Sequence, residues 1–295
     1  MKKYLAICLL TGLIVPVSSS GSGFSSLRFG GDARSAAAGM AAVAAGNTGA
    51  AGFWNPAGLA DLESWDMIVS VQRWMQDVRS EFLGVGHGNG STGLGLHILY
   101  TTVGDMEHRT AATPEPLGLF SSHELVMGLS YARRLGKRLR LGITAKAYYE
   151  KLFLDEALGG GADIGLLYLI RENGLRLGAS VQNLGKTSTL YEDDIDLPVT
   201  LRAGAALPFS GPGGQWLLLA DGVQVRNLPF HLHTGIEWNW QERLYVRLGY
   251  QSGYDNRDLS GGLGIVWHRL RLDYSYTPIA SGLGDSHRVA FGTSW

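Results

Sequence analysis

The sequence predicts an all-β fold: a 14-stranded antiparallel transmembrane β-barrel with an N-terminal plug in its lumen. Three observations after residue 62 support it. Apolar and polar residues alternate. Most connections between strands alternate between short and long, the one near residues 227–229 being an exception, and most strands run to about 9–13 residues. A tilted strand needs about 9–11 residues to cross a bilayer, whereas strands of soluble proteins average about 5–6. A soluble exported β-sandwich or propeller would explain the alternation, but it explains these lengths less well.

The alternation separates an apolar face from a polar face. In Arg138–Tyr149, leucine, isoleucine and alanine side chains share one face, and Arg138, Arg140 and Lys146 point the other way. Leu244–Tyr250 and Leu270–Tyr276 repeat the pattern. A period of two is typical of a strand with one apolar and one polar face. In a membrane barrel, the polar face is expected to line the lumen.

Residues 63–295 are predicted to form the barrel. The predicted strands begin near Trp65, Ser80, Thr92, His123, Arg138, Gly161, Gly174, Leu197, Gly214, Phe230, Arg243, Leu259, Arg269 and His287. The predicted short connections are 88–91, 136–137, 171–173, 241–242 and 268–269, and the long ones are 104–122, 151–160, 185–196, 253–258 and 278–286. Bacterial outer-membrane barrels have short periplasmic turns, longer outer loops and an even strand count. The bacterial outer membrane is therefore the predicted location.

Residues 1–20 are predicted to be a cleaved signal peptide. Two lysines precede an apolar run over residues 4–17, and small residues follow it. Cys8, the one cysteine of the chain, lies in that run, so no disulfide or thiol chemistry is expected in the mature protein. The formal net charge of −1 and the absence of a basic block argue against nucleic acid as a partner.

Residues 21–62 are predicted to be the plug, or hatch. The stretch from Arg28 to Leu62 is rich in alanine and glycine and would fill a lumen that a barrel of this size leaves open. In its Asn-Pro-Ala-Gly motif, proline fixes φ and the asparagine side chain can bond nearby backbone. The predicted plug-motif residues are Asp32, Arg34, Asn55, Pro56 and Gly58. A static plug is favoured over a movable hatch, because no hinge is visible in the sequence.

Three segments together resemble the PorV/PorQ family of outer-membrane proteins, which is related to FadL-type transporters. They are Gly31–Arg34 with the alanine-rich run that follows, Phe53–Leu59, and Leu283–Val289 before the last strand. The resemblance implies a 14-stranded barrel whose N-terminal segment lies in the lumen. It also implies a role in type IX secretion, where such barrels bind exported cargo.

The alternation assigns charged and histidine side chains to the lumen. The predicted lumen-lining residues are Arg138, Arg140, Lys146, His231, His233, Glu237 and Arg247. Because unmatched charges away from water are costly, these side chains are expected to pair across the lumen, including with Asp32, Arg34 or Asp61 of the plug. On the last strand, Phe291 and the terminal Trp295 resemble the assembly signal of outer-membrane proteins.

No catalytic, cofactor or metal site is predicted. His231, His233 and Glu237 share a strand face without an evident fourth ligand, so polar lumen lining is favoured over a metal site. The glycine spacing in Gly88–Gly93 matches the sequence motif of dinucleotide-binding proteins. The segment is nevertheless followed by a predicted strand, whereas binding of the pyrophosphate needs a helix N-terminus at this point. Glu192–Asp196 is interpreted as a solvated outer loop rather than a calcium site.

The resemblance makes a non-enzymatic docking barrel for exported proteins the leading functional prediction. A FadL-like transporter of small hydrophobic molecules is the alternative. An enzyme is disfavoured because no nucleophile and base signature is visible. The predicted partners are outer-membrane lipid, the barrel assembly machinery, and secreted proteins or secretion-system components. The transporter alternative would be favoured by an apolar pocket and a kinked strand beside the plug.

Overall fold

The computed structural model shows a closed antiparallel barrel of 14 strands. Each strand pairs with its neighbours in sequence, and β1 pairs with β14 to close the ring. The structure describes residues 23–74, 78–110, 112, 114–171, 174–190, 195–254, 258–279 and 284–295, so the predicted signal peptide lies outside the described residues. The strands are β1 Trp65–Arg73, β2 Val78–Gly88, β3 Thr92–His108, β4 Gly118–Leu135, β5 Leu139–Leu152, β6 Asp155–Leu169, β7 Arg176–Thr187, β8 Thr200–Gly211, β9 Gly214–Val225, β10 Phe230–Trp240, β11 Leu244–Ser252, β12 Leu259–Trp267, β13 Leu270–Thr277 and β14 Ser286–Ser294.

The predicted number of strands is confirmed, and two boundaries differ clearly from the prediction. β4 and β6 begin several residues earlier than predicted, at Gly118 and Asp155. The predicted long loop 151–160 is instead a two-residue turn at 153–154, with Leu152 paired to Asp155. Gly159 and Gly161 lie within β6, where neighbouring atoms leave little room for a Cβ. A Cβ on Gly159 would lie 2.6 Å from Thr187 Cγ2.

The outward face of the barrel is apolar and the inward face is polar. On β4, Met127, Leu129 and Tyr131 are exposed, whereas Ser130 and Ala132 between and beyond them are buried. Aromatic side chains are exposed at the end with the short turns: Trp65, Tyr131, Tyr168, Phe209, Trp240, Trp267 and Trp295. This is the aromatic girdle that marks a membrane interface in outer-membrane barrels. Among the described residues, no helix is long and apolar enough to span a membrane.

The two ends of the barrel wall meet at paired tryptophans. The backbone N–H groups of Trp65 and Trp295 each donate to the other residue's carbonyl oxygen at 3.1 Å. Their rings are stacked with centroids 6.0 Å apart. Phe291 is also outward-facing, with 65% of its surface exposed. The C-terminal aromatic residues therefore lie on the lipid-facing surface of the strand that closes the barrel.

Residues 23–62, called the N-terminal segment below, lie inside the barrel. The segment contains a 3₁₀ helix at Ser25–Arg28, the α-helices α1 Ala33–Ala37 and α2 Ala51–Trp54, and a second 3₁₀ helix at Pro56–Asp61. Most of its residues are buried. Its hydrogen-bond partners lie on strands around the whole ring, from β1 through β5, β7 and β9 to β14. The alanine and glycine content lets this segment fit within a lumen already lined by side chains.

Candidate functional site

The candidate site is the contact between the N-terminal segment and the inner wall. It begins at Asp32, which caps α1: its carboxylate accepts hydrogen bonds from Ser35 N at 2.9 Å and Trp54 Nε1 at 2.7 Å. The Asp32 carbonyl oxygen accepts a bond from Arg288 Nη1 of β14 at 3.0 Å. Aspartate is a favoured N-cap because its carboxylate satisfies a free helical N–H. Asp32 therefore fixes α1 both to Trp54 and to the wall.

Arg34 of α1 starts a chain of alternating charges across the lumen, called the ion chain below. Arg34 Nε lies 3.0 Å from Glu237 Oε2, and the same oxygen lies 2.5 Å from Arg247 Nε. The chain continues from Arg247 to Asp273 at 2.6 Å, to Arg271 at 3.2 Å and to Asp66 at 3.6 Å. Three cations and three anions balance. Coulombic attraction by Glu237 raises the pKa of Arg34, so this guanidinium stays charged.

Other inward side chains hold the backbone of the segment directly. Asp221 of β9 accepts hydrogen bonds from Ala42 N at 2.8 Å and Val43 N at 2.9 Å. Gln182 of β7 donates to the carbonyl oxygens of Phe53 and Trp54, each at 2.8 Å. The segment contains little regular helix, so its buried N–H and C=O groups need such partners. Sequence reasoning did not select Asp221 or Gln182; their inward parity on β9 and β7 was the available signal.

The Asn-Pro-Ala-Gly motif forms a local lock. Asn55 caps the second 3₁₀ helix by accepting a hydrogen bond from Ala57 N at 3.1 Å. Its amide nitrogen donates to Val43 O at 2.7 Å and to Leu166 O of β6 at 3.0 Å. Pro56 occupies the first helical position, where its missing N–H costs nothing. Gly58 permits close approach, because a Cβ there would lie 2.9 Å from Gly46 Cα.

We expect Asn55→Ala to lower the free energy of unfolding by about 2–4 kcal/mol, because three buried backbone groups lose their partner. The matched control is Asn89→Ala. Asn89 also takes part in three hydrogen bonds, accepting all of them from Ser91 and Thr92, but in an exposed turn where water replaces them. Urea unfolding in detergent, followed by tryptophan fluorescence, measures both variants. Equal losses for the two would contradict the lock.

The structure places the other predicted lumen residues as follows. Arg140 Nε contacts Asp61 Oδ1 at 2.7 Å, and Lys146 Nζ contacts Asp163 Oδ2 at 2.7 Å. Arg140, Lys146 and Asp163 are on the inner side of the wall, and Asp61 belongs to the N-terminal segment. Arg138 differs from the prediction: it lies in the β4–β5 turn and is exposed. The strand begins one residue later, at Leu139, because the turn that starts at Gly136 includes Arg138.

His231 and His233 lie near the opposite end of the wall from Arg140, with Tyr254 as their partner. The Tyr254 ring stacks on His231 with centroids 3.9 Å apart, and its hydroxyl lies 3.1 Å from His233 Nε2. Glu237, further along β10, is engaged by the ion chain. Within the part of the chain that the structure describes, no group of metal-binding side chains is present. Residues 192–194 of the acidic loop lie outside the described residues.

An apolar region, called the aromatic cluster below, fills the lumen towards the end with the long loops. Its members include Phe24, Phe53, Phe82, Leu99, Val126, Tyr148 and Leu197, all buried. Phe24 meets Tyr148 edge-on at 5.3 Å, and Phe53 meets Phe82 at 5.6 Å between centroids. Phe24 and Phe53 come from the N-terminal segment, so the segment supplies the centre of the cluster and β2–β5 supply its wall.

The segment leaves little room along the ion-chain side. A cavity between α1, the alanine-rich stretch, β9 and β10 has a volume of about 30 Å³ and is lined in part by Asp32, Arg34 and Glu237. That volume holds a water molecule or two, whereas a cavity that binds benzene is about 150 Å³. This cavity is therefore too small to hold a small organic molecule.

No protein-family model and no curated protein sequence matches the chain. Solved structures match its fold. The P. putida toluene transporter TodX matches with a TM-score of 0.67 and 12% identity over 90% of this chain and 99% of that chain. A TodX deltaS2S3 mutant, described as a monoaromatic hydrocarbon channel, matches at 0.62 with 12% identity over 90% and 99%. A Pseudomonas aeruginosa FadL homologue matches at 0.54 with 11% identity over 90% and 95%.

At these identities the likeness shows the fold alone, a FadL/TodX-like outer-membrane barrel of 14 antiparallel strands. With the apolar outward face and aromatic girdle, it places the protein in the bacterial outer membrane. The predicted resemblance was to the PorV/PorQ family and, through it, to FadL-type transporters. The matching structures show a FadL-type fold, and they do not show the PorV/PorQ family.

Proposed function

We propose that the protein is a non-enzymatic outer-membrane channel for small hydrophobic molecules, and that the N-terminal segment is the plug that shifts to let them pass. The fold likeness to TodX and to a FadL homologue supports this proposal over secretion docking. The observation that carries it is the aromatic cluster. This apolar region, in which aromatic side chains are concentrated, lies between the segment and β2–β5, where a hydrophobic solute would leave water.

Residues 195–198 of the β7–β8 connection cover the aromatic cluster. Leu197 from this connection is buried in the cluster, and Ile195 packs against it. Two hydrogen bonds fold the connection inward: Thr187 Oγ1 donates to Ile195 O at 3.0 Å, and Asn183 Nδ2 donates to Pro198 O at 3.1 Å. A hydrophobic molecule from outside would meet this connection first and Phe24 next. Entry then requires the cover and the end of the segment to separate.

The wall beside the cluster is irregular, and this irregularity supports the channel proposal. The pairing of β6 with β7 shifts register between Ala162 and Ile164, and Asn183 of β7 adopts a positive φ of 61°. Asp163, at this bulge, accepts a hydrogen bond from Asn183 N and pairs with Lys146. Bulges bend a strand locally and recur near functional sites. This bulge joins the wall of the cluster to the connection that covers it.

Uptake of radiolabelled toluene tests the proposal. Cells that lack the chromosomal copy, with and without the protein restored, are compared for initial uptake rate. We expect the protein to raise the rate several-fold. Proteoliposomes provide the specificity control: arabinose should not make them swell faster than empty liposomes, because the lumen is filled. Equal toluene uptake with and without the protein, or fast arabinose entry, would contradict the proposal.

The PorV/PorQ resemblance supports a second proposal, docking of exported proteins in type IX secretion. The structural feature that favours it is a set of exposed leucines beside the β3–β4 connection and the β5–β6 turn: Leu117, Leu119, Leu154 and Leu158. A gentle-detergent pull-down with mass spectrometry separates the two proposals. Secreted proteins with a shared C-terminal domain would favour docking, and bound hydrophobic molecules without protein partners would favour the channel.

A further inference from the structure

A vestibule of about 580 Å³ opens at the short-turn end of the barrel, beneath the N-terminal segment. β4–β9 form its wall, and the segment forms its roof. Asp61 at the end of the second 3₁₀ helix belongs to the lining. Gly46 is also close, because a Cβ there would lie 3.9 Å from Arg176 Nη1. The vestibule is therefore a separate space from the aromatic cluster, which lies towards the other end of the lumen.

Positive charge dominates this vestibule. Arg134, Arg140 and Arg176 line it, and Asp61 is the acidic residue of the lining. Asp61 Oδ1 accepts from Arg140 Nε at 2.7 Å and lies 3.3 Å from Arg134 Nη2. Three guanidinium groups against one carboxylate leave two positive charges in excess. This excess contrasts with the ion chain, in which cations and anions are equal in number.

Two guanidinium donors in the vestibule lack an acceptor. The Nε atoms of Arg134 and Arg176 are buried and have no hydrogen-bond partner among the described residues. A buried donor without a partner is costly, particularly on a charged group. The planar guanidinium fork matches a carboxylate, which accepts two parallel hydrogen bonds. An anion towards which these guanidinium groups turn would supply the acceptors that they lack.

Apolar side chains lie beside the arginines. Leu169 of β6 and Pro208 of β8 supply apolar side chains to the lining. The volume lies in the range of about 300–1,000 Å³ that is usual for small-molecule sites. We infer that the vestibule binds a small organic carboxylate with an apolar body, its carboxylate on Arg176 and its apolar part against Leu169 and Pro208. This inference does not depend on the proposed transport, because binding requires only the vestibule.

Isothermal titration calorimetry on the full-length protein in non-ionic detergent tests the inference with three probes. Benzoate carries the carboxylate and the apolar ring, benzyl alcohol carries the ring without the charge, and inorganic phosphate carries the charge without the ring. We expect benzoate to bind at least tenfold more tightly than either of the others. Phosphate binding as tight as benzoate, or no benzoate binding at all, would overturn the inference.

Arg176→Gln should weaken benzoate binding at least tenfold, since a charge-assisted pair of hydrogen bonds is lost. Arg138→Gln is the matched control: it removes the same charge at the same end of the barrel, from an exposed turn, and should leave the affinity unchanged. Heat-modifiable gel mobility verifies that both variants fold. Arg176→Lys, which keeps the charge without the fork, should show an intermediate loss and replaces Arg176→Gln if that variant does not fold. Equal losses in the Arg176 and Arg138 variants would overturn the site.

Discussion

Arg247→Met should lower the free energy of unfolding by about 3–5 kcal/mol, the usual cost of removing one partner from a buried ion pair. Arg247 is the centre of the ion chain and contacts Glu237 at 2.5 Å and Asp273 at 2.6 Å. Its side chain is 1% exposed, so water cannot replace the lost contacts without entering the wall. The substitution keeps much of the side-chain volume and leaves the chain with one negative charge in excess.

Arg79→Met provides the control for Arg247→Met. Arg79 pairs with Glu81 at 2.7 Å, but both side chains are about half exposed, so the loss should be below about 1 kcal/mol. Urea unfolding in detergent, followed by tryptophan fluorescence, measures the two variants. Arg247→Met/Asp273→Asn should recover part of the loss, because it removes the excess negative charge. A loss for Arg247→Met no larger than that for Arg79→Met would show that the ion chain does not hold the segment.

The strand faces could be predicted from the sequence because a period of two is a local signal. The alternation around Leu139–Tyr149 assigned Arg140 and Lys146 to the inner wall, where the structure has them. The same signal failed for Arg138. Counting every second residue back from Arg140 assigns Arg138 to the inner face, but this residue lies in the β4–β5 turn. The β5–β6 turn was missed because β6 contains three consecutive glycines, Gly159–Gly161, which have no side chains to show an apolar and a polar face.

The site was predictable where its contacts are local. Asn55 bonds Ala57, two residues away, and the sequence indicated such a turn. For contacts across the lumen, the sequence predicted only that opposite charges would pair. Charges of the N-terminal segment were expected to pair with charges of the wall. The particular pair of Arg34 with Glu237 could not be predicted, because the two residues are 203 positions apart in the sequence. The partners of Asp221 could not be predicted, because they are backbone N–H groups, which carry no sequence signature.

A disulfide between the N-terminal segment and the wall should abolish most toluene uptake. Gly52 of α2 and Ser130 of β4 suit this link, because a Cβ on Gly52 would lie 3.5 Å from Ser130 Cβ. Disulfides have Cβ–Cβ distances of about 3.5–4.5 Å. Ser130 Oγ lies 2.8 Å from that Cβ. The sulfur of a cysteine at position 130 would take the place of this oxygen and face the sulfur of the cysteine at position 52. Cys8 lies in the predicted signal peptide, so the introduced pair would be the cysteines of the mature chain.

The measurement that tests the account most directly is toluene uptake by Gly52→Cys/Ser130→Cys before and after reduction. The single variants are the controls and should respond neither to oxidant nor to dithiothreitol. We expect the oxidised double variant to lose most of its uptake and dithiothreitol to restore it, because the segment must move away from β4 to open the lumen. Full uptake by the oxidised, verified cross-linked protein would contradict the claim that this segment is the plug that opens.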